Sequence, residues 1–595
     1  MDSQIDYKGL DVGESQIRLI ELHPRAANTP ATSNDTLRCE LSPHHRGDTC
    51  PSYLALSYAW QHDGRSQSVV INKKTRHISE TVEQALRQLR HRRNTVYVWV
   101  DQICINQDNK EEKNYQVQQM RHIYSEAEEV IAWLGMPFPN SKILFGFLQQ
   151  IGAAVLKEKW KALTTALDAV DLAAMKAAYR SLCQRPYWKR LWIMQEFSVA
   201  SRVRVVCGSS SIDVKSMEAA FMVEGLFEQK SWESIPGSND ILNTITDIYN
   251  PAEASYLNNV ITRRQRYNPE SLGANSEKDH LFRVLATCLA LEIDYNWPLA
   301  SDPRDRVFSL FYLASDFEVF GASFVDYLKS PEQVYYDTTV ALLNQGHIDI
   351  FAYCQFPKAL SLPSWVVDWN MQIRNPCVRA PWCKFNASGT ASRAVISQPQ
   401  PGYLTVMGAS VDTVTAFGDI WNPDWLQPLD RKAALTFVDN ILQLCKRSPR
   451  TRLNEEILDA IRISVVDGEG CSGLDIEEDY GVFLGQFMEA FEGLKAAEES
   501  QDGDEEGKID SWYEAVLLAL HSRRPFITST GYVGLCPSHV AVGDVVCIFY
   551  GGKAPYVIRP GKYETFTLVG EAFVQGIMYG EFMKAKPASQ TFTLV

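Results

Sequence analysis

The chain has 595 residues, 45% of them hydrophobic and 22% charged, with a formal net charge of -14. That length exceeds one ordinary core and calls for more than one domain, and the negative balance excludes a general affinity for nucleic acid or anionic lipid. No basic, apolar leader opens the sequence and no apolar run approaches bilayer thickness, so a cytoplasmic protein without membrane attachment is expected.

The first elements are two strand-like runs, 17–22 and 37–41, separated by a loop rich in Pro, Thr, Asn and Ala. From residue 53 the pattern becomes strand alternating with helix. Tyr53-Leu-Ala-Leu-Ser-Tyr-Ala-Trp60 reads as a buried strand. A helix follows over 79–92, with Val82, Ala85, Leu86 and Leu89 on one face, although Thr81 and Gln84 have capping-box spacing and offer a later start. The next strand is 96–101, the next helix 112–126 with Val117, Met120 and Tyr124 inward, and the third strand 129–134, stopped by Gly135 and Pro137. Helical material runs to about 182. A short helix over 189–199 then leads into a fourth strand, 203–207.

Strands joined through helices pair in parallel, because each crossover must pack back on the sheet. The expected fold class is therefore α/β, a doubly wound, flavodoxin-like parallel sheet, followed by a helical region and a β-rich end. The expected divisions are 1–52, strands packing on the α/β domain; 53–215, the domain itself; 216–465, mainly helical; 466–524, an acidic linker and helix; and 525–595, β-rich. Glycines such as Gly531, Gly534, Gly543, Gly551 and Gly561 punctuate short apolar runs in that last segment and suggest a small sheet or barrel.

Thirteen cysteines are scattered with no Cys-x-x-Cys pair, which predicts free, mostly buried thiols and no structural metal. Cys104 reads as a buried small hydrophobe rather than a nucleophile, and His62 as a solvated loop histidine. No Gly-x-x-x-x-Gly-Lys-Ser/Thr motif is present, which argues against phosphate-loop chemistry.

Three blocks carry a resemblance to a known family. They are 53–60, then Trp99-Val-Asp-Gln-Ile-Cys-Ile-Asn-Gln107 with Glu112, Gln116, Met120 and Tyr124 after it, and Arg185-Pro-Tyr-Trp-Lys-Arg-Leu-Trp-Ile-Met-Gln-Glu196. In order and spacing they resemble the fungal heterokaryon-incompatibility (HET) domain. Gln61 and Gln102 stand where the family usually has Gly and a small residue. Asp302-Pro-Arg-Asp-Arg-Val-Phe308 and Asp326-Tyr327 resemble segments that accompany such domains.

The resemblance implies a role in self/non-self recognition and cell death, with self-association and a partner protein of the incompatibility system. Trp192-Ile-Met-Gln-Glu196 further resembles the Trp-x-x-x-Glu of TIR domains. That implies NAD as a substrate, with no other cofactor required. Glu196 would then be the carboxylate beside the ribose; the alternative is a structural acid paired with Arg190 or Arg185. Asp101 and Asn106, just beyond a central strand, are placed either for ligand binding or for folding a turn. Trp60 and Trp192 are placed for stacking on a ring, or for packing. Glu196 and Asp101 are expected on one cleft at the carboxyl edge of the sheet. The helix dipole is expected to lower the Glu196 carboxyl if that residue lies in the first helical turn.

Overall fold

The computed structural model describes residues 15–25, 35–60, 67–156, 171–221, 254–271, 279–290, 298–321, 323–374, 376–378, 385–390, 401–420, 446–450 and 522–595, with isolated positions besides. Gln61, His62, the acidic 466–510 segment and residues 211–300 in part lie outside the described residues. The chain divides into two compact units. The first is Met1–Val284 with Asn296–Lys329, and the second is Leu285–Tyr295 with Ser330–Val595.

The first unit is built on a nine-stranded sheet. In chain order the strands are β1 (Gln16–Leu22), β2 (Leu37–His45), β3 (Leu54–Tyr58), β4 (Gln67–Ile71), β5 (Lys74–Ile78), β6 (Val96–Trp99), β7 (Glu129–Trp133), β8 (Val203–Cys207) and β9 (Ser210–Asp213). Their order across the sheet is β5-β4-β2-β1-β6-β3-β7-β8-β9. The four strands expected from the sequence, β3, β6, β7 and β8, lie together, and every pairing among them is parallel. Their runs are buried almost without a break, Ala55, Leu56, Val130, Ile131 and Ala132 among them, as strands covered on both faces must be.

The sheet is wider and more mixed than the alternating pattern predicted. β1 joins antiparallel to β6, the β4–β5 hairpin extends one side and β9 closes the other. The hairpin escaped the sequence reading because β5 carries a single apolar residue, Ile78, and so shows no strand pattern for β4 to pair with. Its turn uses Asn72 and Lys73 at positive φ, the geometry a two-residue hairpin demands.

The expected start of the first helix at Ser79 holds, its end falls short of residue 92, and the end of β6 is corrected. The first helix spans Glu80–Leu89 and begins at Ser79, whose side chain accepts from the Val82 amide. Ser79 wins over Thr81 as the cap because Gln102 fixes it: the Gln102 carbonyl accepts from the Ser79 amide at 3.1 Å and from its hydroxyl at 3.2 Å. Asp101 does not end a strand. β6 stops at Trp99, and Asp101–Cys104 forms a single helical turn.

In the second unit the region expected to be helical contributes a 14-residue strand, β10 (Leu404–Phe417). With it are β11 (Arg523–Thr528), β12 (Val533–Pro537), β13 (Val545–Phe549), β14 (Tyr556–Pro560), β15 (Thr565–Glu571), β16 (Phe573–Val574) and β17 (Gln590–Leu594). β10 pairs with β17 through Leu404–Gly408, with β13 through Gly408–Thr413, and with β11 from Val414 onward. Since β13–β14–β15–β17 are also joined in sequence, β10 closes them into a five-stranded ring. At the crossing of β10 and β13 a Cβ on Gly408 would lie 2.4 Å from the Ile548 carbonyl oxygen, so only glycine lets the backbones meet there. A core including Val414, Phe526, Cys536, Val546, Ile548, Val557 and Val574 fills this unit. Among the described residues no helix is long and apolar enough to cross a membrane.

Candidate functional site

A pocket of about 240 Å³ opens in the first unit where β3 and β6 end. Such carboxyl edges are where open α/β sheets bind ligands, because side chains from successive loops converge there. Its floor is made by residues from the family-like blocks and its far wall by the 299–305 and 327 segments.

The 101–107 loop is pinned before it reaches the pocket. Arg18 on β1 donates to both oxygens of Glu112, at 2.6 and 3.1 Å, and to the Cys104 carbonyl at 3.1 Å. Glu112 also accepts from the Asn106 amide at 2.8 Å. Asn109 caps the Lys110–Glu126 helix by accepting from the Glu111 and Glu112 amides. Anchored so, the loop presents Asp101 with both oxygens occupied. Oδ1 accepts from the Tyr58 hydroxyl at 2.8 Å and the Gln102 amide at 2.7 Å. Oδ2 accepts from the Trp60 indole at 3.0 Å and from Arg190 at 3.4 Å.

Arg190 is the hub. One guanidinium nitrogen donates to the Tyr58 carbonyl at 2.8 Å and stands 3.3 Å from the Glu196 carboxylate, while the other reaches Asp101. The Tyr58 and Trp60 rings flank it, each centroid 5.8 Å away. Arg190 thus joins two carboxylates that come from different elements.

Glu196 lies in the first turn of the Ile193–Val199 helix, nearer its start than a 189–199 helix would place it. It is fully buried and does not line the pocket. Its other oxygen accepts a short hydrogen bond from Ser57 on β3, and Ser57 contacts the Tyr187 hydroxyl at 2.9 Å. The expected lowering of its carboxyl by the helix dipole is not seen. Burial raises it to about 7, the Arg190 charge opposes, and the neighbouring Asp101 adds to the rise. The dipole of a seven-residue helix is worth a few tenths to about 1 kcal/mol, too little against removing a carboxylate from water.

That direction carries a pH prediction. Glu196 is raised in the folded state, from an ordinary value of 4.5. Its protonated form therefore contributes stability that is complete below the unfolded value and is lost as pH rises through about 7. Relative to Glu196→Gln, the natural chain should lose up to about 3 kcal/mol of stability between about pH 5 and about pH 8. Parallel urea titrations of the two proteins across that range measure it; a constant difference would contradict the assignment.

The remaining candidates fall as follows. Trp60 is 47% exposed on the pocket rim, and Trp192 is buried in its wall. Asn106 does not line the pocket: its side chain accepts from the Asp108 amide at 3.3 Å and folds the turn. Cys104 is fully buried, and burial pushes its thiol up to about 12, as an inert core residue requires. Among the described residues no cluster of His, Cys, Asp or Glu is arranged to hold a metal.

Lys113, Asp305 and Tyr327 line the pocket and were not singled out as site residues in the sequence. The signal was present, since Asp305 lies in the Asp302–Phe308 motif and Tyr327 in the Asp326-Tyr327 pair. The Tyr327 hydroxyl donates to Asp305, its amide donates to Asn114 at 3.1 Å, and Arg304 binds its carbonyl. The two motifs therefore close one wall of the pocket over the Lys110–Glu126 helix.

An α/β domain with an arginine-centred, aromatic-walled pocket, in a chain that also forms a small closed β-barrel, is the class of protein these observations define. Comparison with known proteins fits both parts. Residues 53–196 match the heterokaryon incompatibility protein (HET) family, and residues 477–595 match the Het-6 β-barrel domain. Heterokaryon incompatibility protein 6, OR allele, of Neurospora crassa is 26% identical over 97% of this chain and 95% of its own length. No solved structure matches. In both parts the chain is similar to HET-domain proteins.

Proposed function

We propose that this protein acts in self/non-self recognition of the heterokaryon-incompatibility type, and that its activation ends in cell death. The observation that carries the reading is the similarity to the Neurospora crassa incompatibility protein along nearly the whole of both chains, through the α/β unit and the barrel alike. The proposal includes a cytoplasmic setting, a partner protein of the same system and self-association on activation. Inducible expression in a filamentous-fungal host, with and without the allelic partner, tests it. Growth arrest and dye uptake in expressing cells are the expected result. Unimpaired growth in both settings, at protein levels verified by immunoblot, sinks it.

A second reading adds TIR-like cleavage of NAD. It is supported by the order of β6-β3-β7-β8, which in chain order is 2-1-3-4, the order of flavodoxin-like sheets. It is supported too by Asp101, Trp60 and Trp192 sharing one pocket. In this reading the developing positive charge on the ribose needs a carboxylate beside it. Glu196 sits behind Arg190, so it has to leave Ser57 and turn outward to serve; held as it is, it positions Arg190 instead. Purified chain and Glu196→Gln incubated with NAD separate the two roles. Cleavage by the natural chain and none by the variant favours the enzyme. No cleavage by either, with killing retained by both, favours a signalling module.

A further inference from the structure

We propose that the pocket at the ends of β3 and β6 binds a compact aromatic anion, with Lys113 answering the anionic group and Trp60 covering the ring. The proposal rests on this pocket being the working site of the reading above.

The carboxylates that line the pocket are already satisfied by the protein. Asp101 holds four donors, including Arg190. Asp302 is held by Arg304 through its side chain, at 2.6 and 2.9 Å, and through its amide at 3.0 Å. Asp305 accepts from the Tyr327 hydroxyl and from Trp192, and burial raises its carboxyl. Arg190 is spent on Tyr58, Asp101 and Glu196. Lys113 differs. Among the described residues no carboxylate oxygen comes within ion-pair distance of its ammonium, which rests 5.3 Å from the centroid of the Tyr327 ring. A ring face holds a cation in place without neutralising it. Asp302 and Asp305 feel the Lys113 charge through space, but neither pairs with it, and it is the cation left open to a ligand.

Size and surface set the rest. An apolar cavity of about 150 Å³ takes a benzene ring. At about 240 Å³, this pocket has room for one ring system and one small charged group. Its apolar lining comes from Trp60, Val117, Met120, Pro186 and Leu299, of which Trp60 and Leu299 are 47% and 60% exposed. Aromatic and aliphatic groups left open beside a single unanswered cation suit a flat apolar body with an acidic substituent.

The test compares acids with their neutral amides on the purified full-length chain. Benzoate, nicotinate and indole-3-acetate are titrated against benzamide, nicotinamide and indole-3-acetamide by calorimetry and by quenching of tryptophan fluorescence. At least one acid should saturate in the micromolar to millimolar range and bind about tenfold or more tightly than its amide, with affinity falling as salt rises. Lys113→Met should abolish the difference between acid and amide. Trp60→Ala should weaken both forms together. Circular dichroism and the melting temperature verify that each variant is folded. Equal binding of acid and amide, binding unaffected by Lys113→Met, or no saturation by any acid overturns the proposal. Cell killing is scored separately: killing that persists without acid binding removes this ligand and leaves the incompatibility reading standing.

Discussion

Replacing Arg190 by Ala is expected to destabilise the α/β unit by about 3–5 kcal/mol at neutral pH, an effect that shrinks in acid. The guanidinium is the one cation bridging Asp101 and Glu196, which arrive from different elements and are both buried. Removing it leaves two carboxylates facing each other in a poorly solvated space, with the Asp101 charge raising Glu196 unopposed. Protonation relieves the repulsion, so the deficit at about pH 5 should be well below that at about pH 8. Hydrogen exchange of the peptides covering β3 and β6 reads the change where it arises. Equal protection in variant and natural chain at pH 8 would mean that Arg190 does not hold the two acids together. Arg190→Lys should recover only part of the loss, because one ammonium cannot reach Tyr58, Asp101 and Glu196 from a single position.

Glu112→Ala should cost about as much, roughly 3–5 kcal/mol, for a different reason. Arg18 is 1% exposed, and Glu112 takes both of its terminal nitrogens. Truncation removes the carboxylate opposite a buried cation and also frees the Asn106 amide, which weakens the anchoring of the 101–107 loop. The variant should melt at lower temperature and, at temperatures where it is still folded, show weakened ligand binding in the neighbouring pocket. Replacing Arg18 and Glu112 together by Met and Leu should restore much of the stability, since a well-packed apolar pair avoids the desolvation that the ion pair must offset. A double variant as unstable as Glu112→Ala would show that the pair matters for something beyond compensating its own burial.

Much of this was legible in the residues. β3, β6, β7 and β8 announced themselves as apolar runs, because strands buried on both faces leave little room for polar residues. The β4–β5 hairpin and β10 did not. Their strands alternate or lie on an exposed edge, and β10 carries Ser410, Asp412, Thr413 and Thr415 within its span. Asp101, Trp60 and Trp192 line one pocket beyond the ends of β3 and β6. The depth of Glu196 was not legible, because spacing reports which residues share an element and says nothing of which side of Arg190 they occupy. Lys113 was hidden for a similar reason. In sequence it is one of many helix lysines, and only the fold shows that it lines the pocket beside the Tyr327 ring.

The strand β10 has a consequence for how this protein is made and divided. It lies roughly a hundred residues before β11 and outside the 477–595 match, yet it closes the ring by touching β11, β13 and β17. During synthesis it must wait, unpaired, until β11 emerges, and the ring cannot close until β17 has left the ribosome, which makes closure a late event dominated by distant contacts. A fragment cut at residue 477 would carry away seven strands and leave behind the one that seals them, exposing edges that seek a partner elsewhere. As a heritable unit the barrel therefore begins near residue 404, and exchange of this region between alleles preserves a closed ring only when the crossover falls upstream of it.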